Sequence, residues 1–278
     1  MGTLMIGFKE NKAFRLFTIL MFLLIAIALT APFIAPYDPL EAVMRNANMP
    51  PSAAHLFGTD KLGRDCFSRI LYGAAYSLGS VIILIAMIFV VGTTLGVLAG
   101  YFGGWADAVI MRLSDMMISF PGMILAIAIA GILGGSLLNA MIALLCVTWA
   151  KYARLARGLA LKIKECDFVL AAVVSGGNHL HILLTHIVPN ILPVMVITAA
   201  TDVGAIMMEL AGLSFLGFGS QPPAPEWGVM LNEGRQQMQT APWLMVFPGL
   251  AIFITVVVIN LWSDSLRDVM DPRKANKE

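Results

Sequence analysis

Asp202 and Glu209 stand seven residues apart within the otherwise apolar run Asn190 to Leu213, a spacing that puts them on nearly one face of a helix. A carboxylate at mid-bilayer costs roughly 2.5 to 3.5 kcal/mol, so such residues line a pathway or pair across a helix interface. Lining a translocation path is the preferred reading. Met207 and Met208 are adjacent, and soft thioethers suit some transition metals. At about 100° per residue, however, they point away from the carboxylate face, and the carboxylates lie roughly 10 Å apart along the axis. One ion could not be shared without a bend, and His179, His181 and His186 fit helix-surface or docking roles better than ligation. No metal site is assigned.

Chemistry of other kinds lacks its motifs. The sequence contains no Gly-x-x-x-x-Gly-Lys-Ser/Thr run to cradle ATP, no His-Glu-x-x-His and no Gly-x-Ser-x-Gly. The chain is expected to be no enzyme and to bind no cofactor of its own.

The elements that position these residues are membrane spans. Of 278 residues, 59% are hydrophobic and 13% charged, more apolar surface than a soluble domain of this length buries. A bilayer core takes about 20 apolar residues per helix. Five stretches qualify: Leu16 to Ala35, Leu78 to Tyr101, Met116 to Leu133, Asn190 to Leu213 and Trp243 to Trp262. Leu137 to Ala150 is short, but without it the charged segment that follows falls on the wrong side of the membrane. The expected fold is an all-α, polytopic membrane helix bundle of six transmembrane helices.

Positive charge orients it. With the N-terminus inside, thirteen of eighteen Lys and Arg residues are cytoplasmic: Lys9, Lys12, Arg15, Arg112, the run Lys151 to Lys164, Arg267, Arg273, Lys274 and Lys277. Arg45, Lys61, Arg64, Arg69 and Arg235 lie outside, so the chain reads N-in, C-in. The basic start and Leu16 to Leu29 also suit a cleaved signal peptide, but Pro32 after the small residues favours a retained anchor. Cys66, Cys146 and Cys166 fall outside, within a span and inside, which leaves no intramolecular disulfide framework. A net charge of +1 gives no sign of a nucleic-acid partner.

Three connecting segments are too long to be simple turns: Pro36 to Ser77, Lys151 to Val188 and Ser214 to Pro242. The chain divides into an N-terminal span with its outer loop, 1–77, and a core, 78–278, with a cytoplasmic loop near 165–189. Gly92, Gly96 and Gly100 recur every fourth residue, a face that lets another helix approach closely.

The cytoplasmic stretch from Phe168 reads as a short helix with small residues at Ala171 and Ala172, a break at Gly176 and Gly177, and a second helix up to Pro189. Leu170 lies on the first arm. Such an element suits either docking or lying on the membrane surface. In the first outer loop, His55-Leu-Phe-Gly-Thr-Asp-Lys-Leu-Gly-Arg-Asp65 reads as a compact turn around Gly63 whose Asp60, Arg64 and Asp65 satisfy one another or a partner. In the second, Leu213 to Gly228 is stiffened by glycine and proline, and its Glu226 and Trp227 either sit at the interface or face a partner.

These segments, with Leu266-Arg-Asp-Val-Met-Asp-Pro-Arg273, resemble the permease subunits of type I ABC importers, in the dipeptide, oligopeptide and nickel branch. Ala171, Ala172, Gly176, Val188 and Pro189 match the coupling-loop pattern in register, while Leu170 replaces its Glu and His186 its Ile. The resemblance implies a multi-pass protein of the cytoplasmic, or inner, membrane. It also implies a homologous second permease, two ABC ATPase subunits that carry ATP and Mg, and an extracytoplasmic solute-binding protein. Phe168, Leu170, Ala171, Ala172, Gly176, Gly177 and Pro189 would then couple to the ATPases, while Asp60, Gly63, Arg64, Asp65, Glu226 and Trp227 would face the binding protein. Nickel or a metal chelate is the expected cargo, with dipeptides or oligopeptides the alternative. A self-contained channel or secondary carrier would need no such loop.

Overall fold

The computed structural model describes residues 11–270, and among them the regular elements are helices, with one isolated bridge between Thr59 and Asp65. Lys9, Arg273, Lys274, Lys277 and Pro272 lie outside the described residues.

Helix α1 spans Lys12–Ile34 and is capped by Asn11, whose side chain accepts from Ala13 N and Phe14 N. After a single 3-10 turn at Met44–Asn46, α2 runs Cys66–Phe102. It therefore begins three turns before the apolar run at Leu78, so part of the expected outer loop is helical. Helices α3 (Gly104–Ser119) and α4 (Gly122–Leu133) meet at a 97° bend, where one straight span from Met116 to Leu133 was expected. The cause is local: proline disfavours helical backbone in the residue before it, and Phe120, before Pro121, is extended at φ −96°, ψ 148°.

Helix α5, Leu137–Lys164, joins the short sixth stretch to the basic run in one rod. Helix α6 is Asp167–Val174 and α7 is His179–Ile182. A π turn, Leu183–Ile187, leads directly into α8, Val188–Phe215. The second arm of the cytoplasmic element thus does not stop at Pro189. Proline lacks the N–H that an ordinary helical turn would direct at the carbonyl four residues back, and the widened turn just before Pro189 accommodates that loss. Helices α9 (Trp227–Arg235) and α10 (Trp243–Met270) complete the chain.

Among the described residues four helices are long and apolar enough to cross a membrane: α1, α2, the rod His179–Phe215, and α10. The bent pair makes a fifth if counted as one span. Helix α5 is excluded by the charge in its second half.

The chain divides into two compact units, interleaved along the sequence. Of the described residues, the first holds 11–82, Ala130–Met141 and 201–270. Within it α10 packs on α1 and α9, and Trp262 donates its ring N–H to Thr18 Oγ1 at 3.2 Å. The second holds Ile83–Ile129 and Ile142–Ala200. Here α2 lies against α5 through Gly92, Gly96 and Gly100. A methyl group added at any of the three would run into Tyr152, Ala153 or Arg157, so the four-residue glycine spacing is a packing face.

Candidate functional site

The cytoplasmic element is built to present apolar surface. Asp167 in the first turn of α6 complements the helix dipole, and Val169 is buried beneath it. Around it Phe168 and Leu170 are 47% and 49% exposed and Val174 is 88% exposed, and Leu180 and Leu184 on the second arm are exposed as well. The turn between the arms needs glycine at Gly176, whose φ is +78°, and Gly177 N closes it by donating to Ala172 O at 3.0 Å. Asn178 then caps the second arm by accepting from Leu180 N at 3.1 Å.

This element is tied back to the second unit at one corner. Tyr101 OH and His179 Nδ1 lie 2.8 Å apart, and Lys164 Nζ donates to the Tyr101 carbonyl at 2.6 Å while sitting over its ring. The lysine supplies positive charge where the last carbonyls of α2 need a partner. Farther along α5, Arg157 Nη2 donates to Asp107 Oδ2 at 2.6 Å. His181 and His186 face each other edge-on with centroids 6.4 Å apart. Among the described residues no group of three or more His, Cys, Asp or Glu is placed to hold a metal ion.

The outer-loop residues form a buried lattice. Asp60 Oδ2 receives Arg64 Nε and Arg69 Nη1, each at 2.6 Å, and Glu233 on α9 takes the far ends of both guanidinium groups at 2.8 Å. Both arginines are only 1% exposed. Burial pulls the Arg64 pKa down, but the bonds and charges of Glu233 and Asp60 outweigh it and hold the group above its ordinary value. Beside them Asp65 accepts from Ser68 N and Oγ at 2.8 Å and pairs with His55 Nδ1 at 2.9 Å. Gly63 N donates to Asp60 O, closing the turn.

Glu226 caps α9, its two oxygens accepting from Gly228 N at 2.9 Å and Val229 N at 3.0 Å. Burial pushes its carboxyl pKa up against the pull of those bonds. Trp227 is buried, donating from its ring to Ile70 O and from its backbone to Ser77 Oγ. The structure thus brings Asp60, Gly63, Arg64 and Asp65 together, with Glu233 and Arg69 as the partners that complete the cluster. Glu226 and Trp227 are buried in the same scaffold rather than on an exposed face.

In α8, Asp202 and Glu209 are half-buried and each is engaged by a neighbour. They are not among the residues lining the groove between α8 and α10. That groove has a polar part of about 400 Å³ lined by Thr201, Gly204, Asn260, Ser263 and Asp264. An apolar part of about 530 Å³ adjoins it through Met208 and Val256 and is lined by Phe215, Met245 and Phe253. Gly204 lets the Asn260 amide lie directly against α8. These polar groups on α10 escaped sequence reasoning because they lie where an apolar run gives way to its charged end.

Comparison with known proteins agrees with this architecture. Residues 92–276 match the family model described as the binding-protein-dependent transport system inner membrane component, and residues 4–51 match the N-terminal TM domain of oligopeptide transport permease C. The glutathione transport system permease protein of Pectobacterium atrosepticum is 45% identical, covering 90% of this chain and 84% of its own. The nickel transport system permease protein of Escherichia coli is 42% identical over 93% of both chains. The dipeptide transport system permease protein of Alkalihalophilus pseudofirmus is 42% identical over 95% and 87%. Among solved structures, an inward-facing methionine ABC transporter matches with a TM-score of 0.56 at 18% identity, over 74% of this chain and 98% of that one, a likeness of fold. The apolar spans, the type I importer fold and these matches place the chain in the cytoplasmic membrane as a multi-pass member of the binding-protein-dependent transport family, a permease subunit of ABC importers and not itself an ATPase.

Proposed function

We propose that this chain works as one of two homologous permeases in an importer, docked on the inside by two ATPase subunits and served on the outside by a solute-binding protein. The observation that carries the docking role is the number of exposed apolar side chains on α6 and α7, Phe168, Leu170 and Val174 among them, on a helix anchored through Val169. The rod from His179 to Phe215 is helical throughout, so displacement of the docking element acts on the span with no intervening loop. ATP and Mg belong to the ATPase subunits in this reading. The first half of α5 completes six spans, with both termini inside.

For cargo, the reading best supported is a small peptide-like solute. The groove of α8 and α10 joins hydroxyl, amide and carboxylate groups at one part to aromatic and methionine side chains at the other, a pairing suited to a polar backbone with apolar side chains. Two relatives named for peptide-like cargo, glutathione and a dipeptide, are among the matches. Nickel or a nickel chelate is the second reading, favoured by the acidic pair Asp202 and Glu209 and by the nickel permease relative.

Uptake of a labelled dipeptide, labelled glutathione and radioactive nickel in cells with and without this chain, partner subunits present, tests both levels. Loss of dipeptide or glutathione uptake alone supports the peptide reading, and loss of nickel uptake alone replaces it with the metal reading. A chain carrying Val174→Asp that transports normally would sink the docking role.

A further inference from the structure

A groove of about 490 Å³ lies where α1 ends and α2 begins, lined by Tyr37, Tyr72 and Tyr76, by Asp38, and by prolines including Pro36 and Pro39. Tyr72 and Tyr76 are four residues apart and share one face of α2. Tyr37 is held in place by its hydroxyl bond to Ala54 O at 2.9 Å, by its backbone bond to Ser68 Oγ at 3.2 Å, and by a tilted ring contact with His55. Asp38 is exposed and gives one oxygen to Leu40 N at 2.8 Å. Aromatic faces attract cations, and a carboxylate beside them adds full negative charge, so the recognised chemistry is an ammonium group. None of these residues takes part in the buried arginine lattice or the docking element.

The position in the fold narrows the source. Pro32 in the last turn of α1 and Tyr76, just before the apolar run at Leu78, put the groove at the boundary where both hydrocarbon-length runs end. On the last turns of α1, near Pro32, Leu29 and Phe33 are largely exposed, a surface for an acyl chain. Tyrosine belongs at this level because its ring is apolar and its tip polar.

We propose that this groove binds the ammonium headgroup of a bilayer lipid, such as phosphatidylethanolamine, with the acyl chain running down α1. The site is independent of the cargo and of the docking role.

The test uses the full-length purified chain, stripped of lipid in detergent and titrated with phosphatidylethanolamine or phosphatidylglycerol of matched acyl chains, with bound lipid counted by native mass spectrometry. The wild-type chain favours phosphatidylethanolamine roughly tenfold, the scale of a cation held by aromatic rings and a carboxylate. Asp38→Asn keeps the acceptor for Leu40 N and brings the preference near parity, and Tyr76→Leu lowers it several-fold. Equal binding of the two lipids by the wild-type chain overturns the proposal, as does an unchanged preference in Asp38→Asn, which reads alone should Tyr76→Leu fail to fold. Binding of free ethanolamine as tight as that of phosphatidylethanolamine would show that the acyl chain adds nothing, assign the groove to a soluble amine and overturn the lipid reading.

Discussion

Tyr101 OH lies 2.8 Å from Nδ1 of His179, joining the last turn of α2 to the first residue of the arm that leads into α8. The contact is partly buried and pairs two groups about eighty positions apart in sequence, so it fixes where the second arm of the docking element starts. Deleting only the hydroxyl in Tyr101→Phe removes about 1 kcal/mol, the net worth of such a bond. The expected result is a several-fold fall in cargo moved per ATP hydrolysed, with normal amounts of the chain in the membrane. Coupled uptake and ATPase rates in vesicles measure it, and an unchanged ratio would show the bond to be local packing.

The docking face separates into exposed and buried positions on one short helix. Val174 is nearly free of the chain and Val169 is fully buried, five residues apart on α6. Val174→Asp leaves the fold intact and abolishes co-purification of the ATPase subunits. Val169→Asp buries an unpaired carboxylate and lowers the amount of folded chain instead. Pull-down yield and membrane level, measured together, distinguish the two. Loss of membrane level in Val174→Asp would mean that this face holds the chain itself together.

Arg69 and Glu233 close the buried lattice between α2 and α9. Removing one charge from such a set leaves its partner uncompensated, at a cost of about 3 to 5 kcal/mol, whereas exchanging both for apolar residues of similar volume is often neutral. Glu233→Met is therefore expected to lower the thermal midpoint of the solubilised chain sharply, and Glu233→Met combined with Arg64→Met to recover much of the loss. Equal midpoints for Glu233→Met and wild type would remove the lattice from the stability of the outer loops.

The fold and the site differ in how much of each was legible in the sequence. The close approach at Gly92, Gly96 and Gly100 was readable because helix contact demands small side chains at a fixed period. The turn around Gly63 was readable because Asp60 and Arg64 are local to it. Glu233 was not, since it meets Arg64 from 169 positions away and nothing in its own neighbourhood signals that pairing. The bend at Phe120 was signalled by Pro121, but an apolar run on both sides of the proline read as a single span. The docking element was recognised as two arms, while its continuity into α8 depends on a π turn that leaves no mark in composition. In the outer loops Asp60, Arg64 and Asp65 read as satisfying either one another or a partner, because sequence alone does not distinguish exposed charge from charge buried in mutual pairs.

Glu226 gives a pH dependence with a defined sign. Its folded pKa is raised by burial above the ordinary carboxylate value, so the folded chain holds this proton more tightly than the unfolded chain. The associated stability is full below the unfolded pKa and is lost as pH rises through the folded pKa. Glu226→Gln keeps an acceptor for the first turn of α9 but has no proton to lose. The thermal midpoint of the variant is expected to change less than that of wild type across the window just above the ordinary carboxylate range. Parallel pH profiles for the two would show that Glu226 does not titrate in that window.

Asp264 and Asp202 offer a direct contrast between the groove and the carboxylate pair chosen from sequence. Asp264 is exposed on α10 and lines the polar part of the groove, whereas Asp202 is half-buried on α8 and engaged by a neighbour. If cargo passes along the groove, Asp264→Asn lowers the rate of uptake of a cationic dipeptide several-fold and changes uptake of an anionic one less, since only the cation loses a favourable charge. Asp202→Asn would then act first on assembly, seen as a reduced yield of the intact complex. Uptake of both peptides, normalised to assembled complex, compares the two variants in one experiment. Selective loss of cationic uptake in Asp202→Asn, with Asp264→Asn unaffected, would return the path to the face of α8 that carries Asp202 and Glu209.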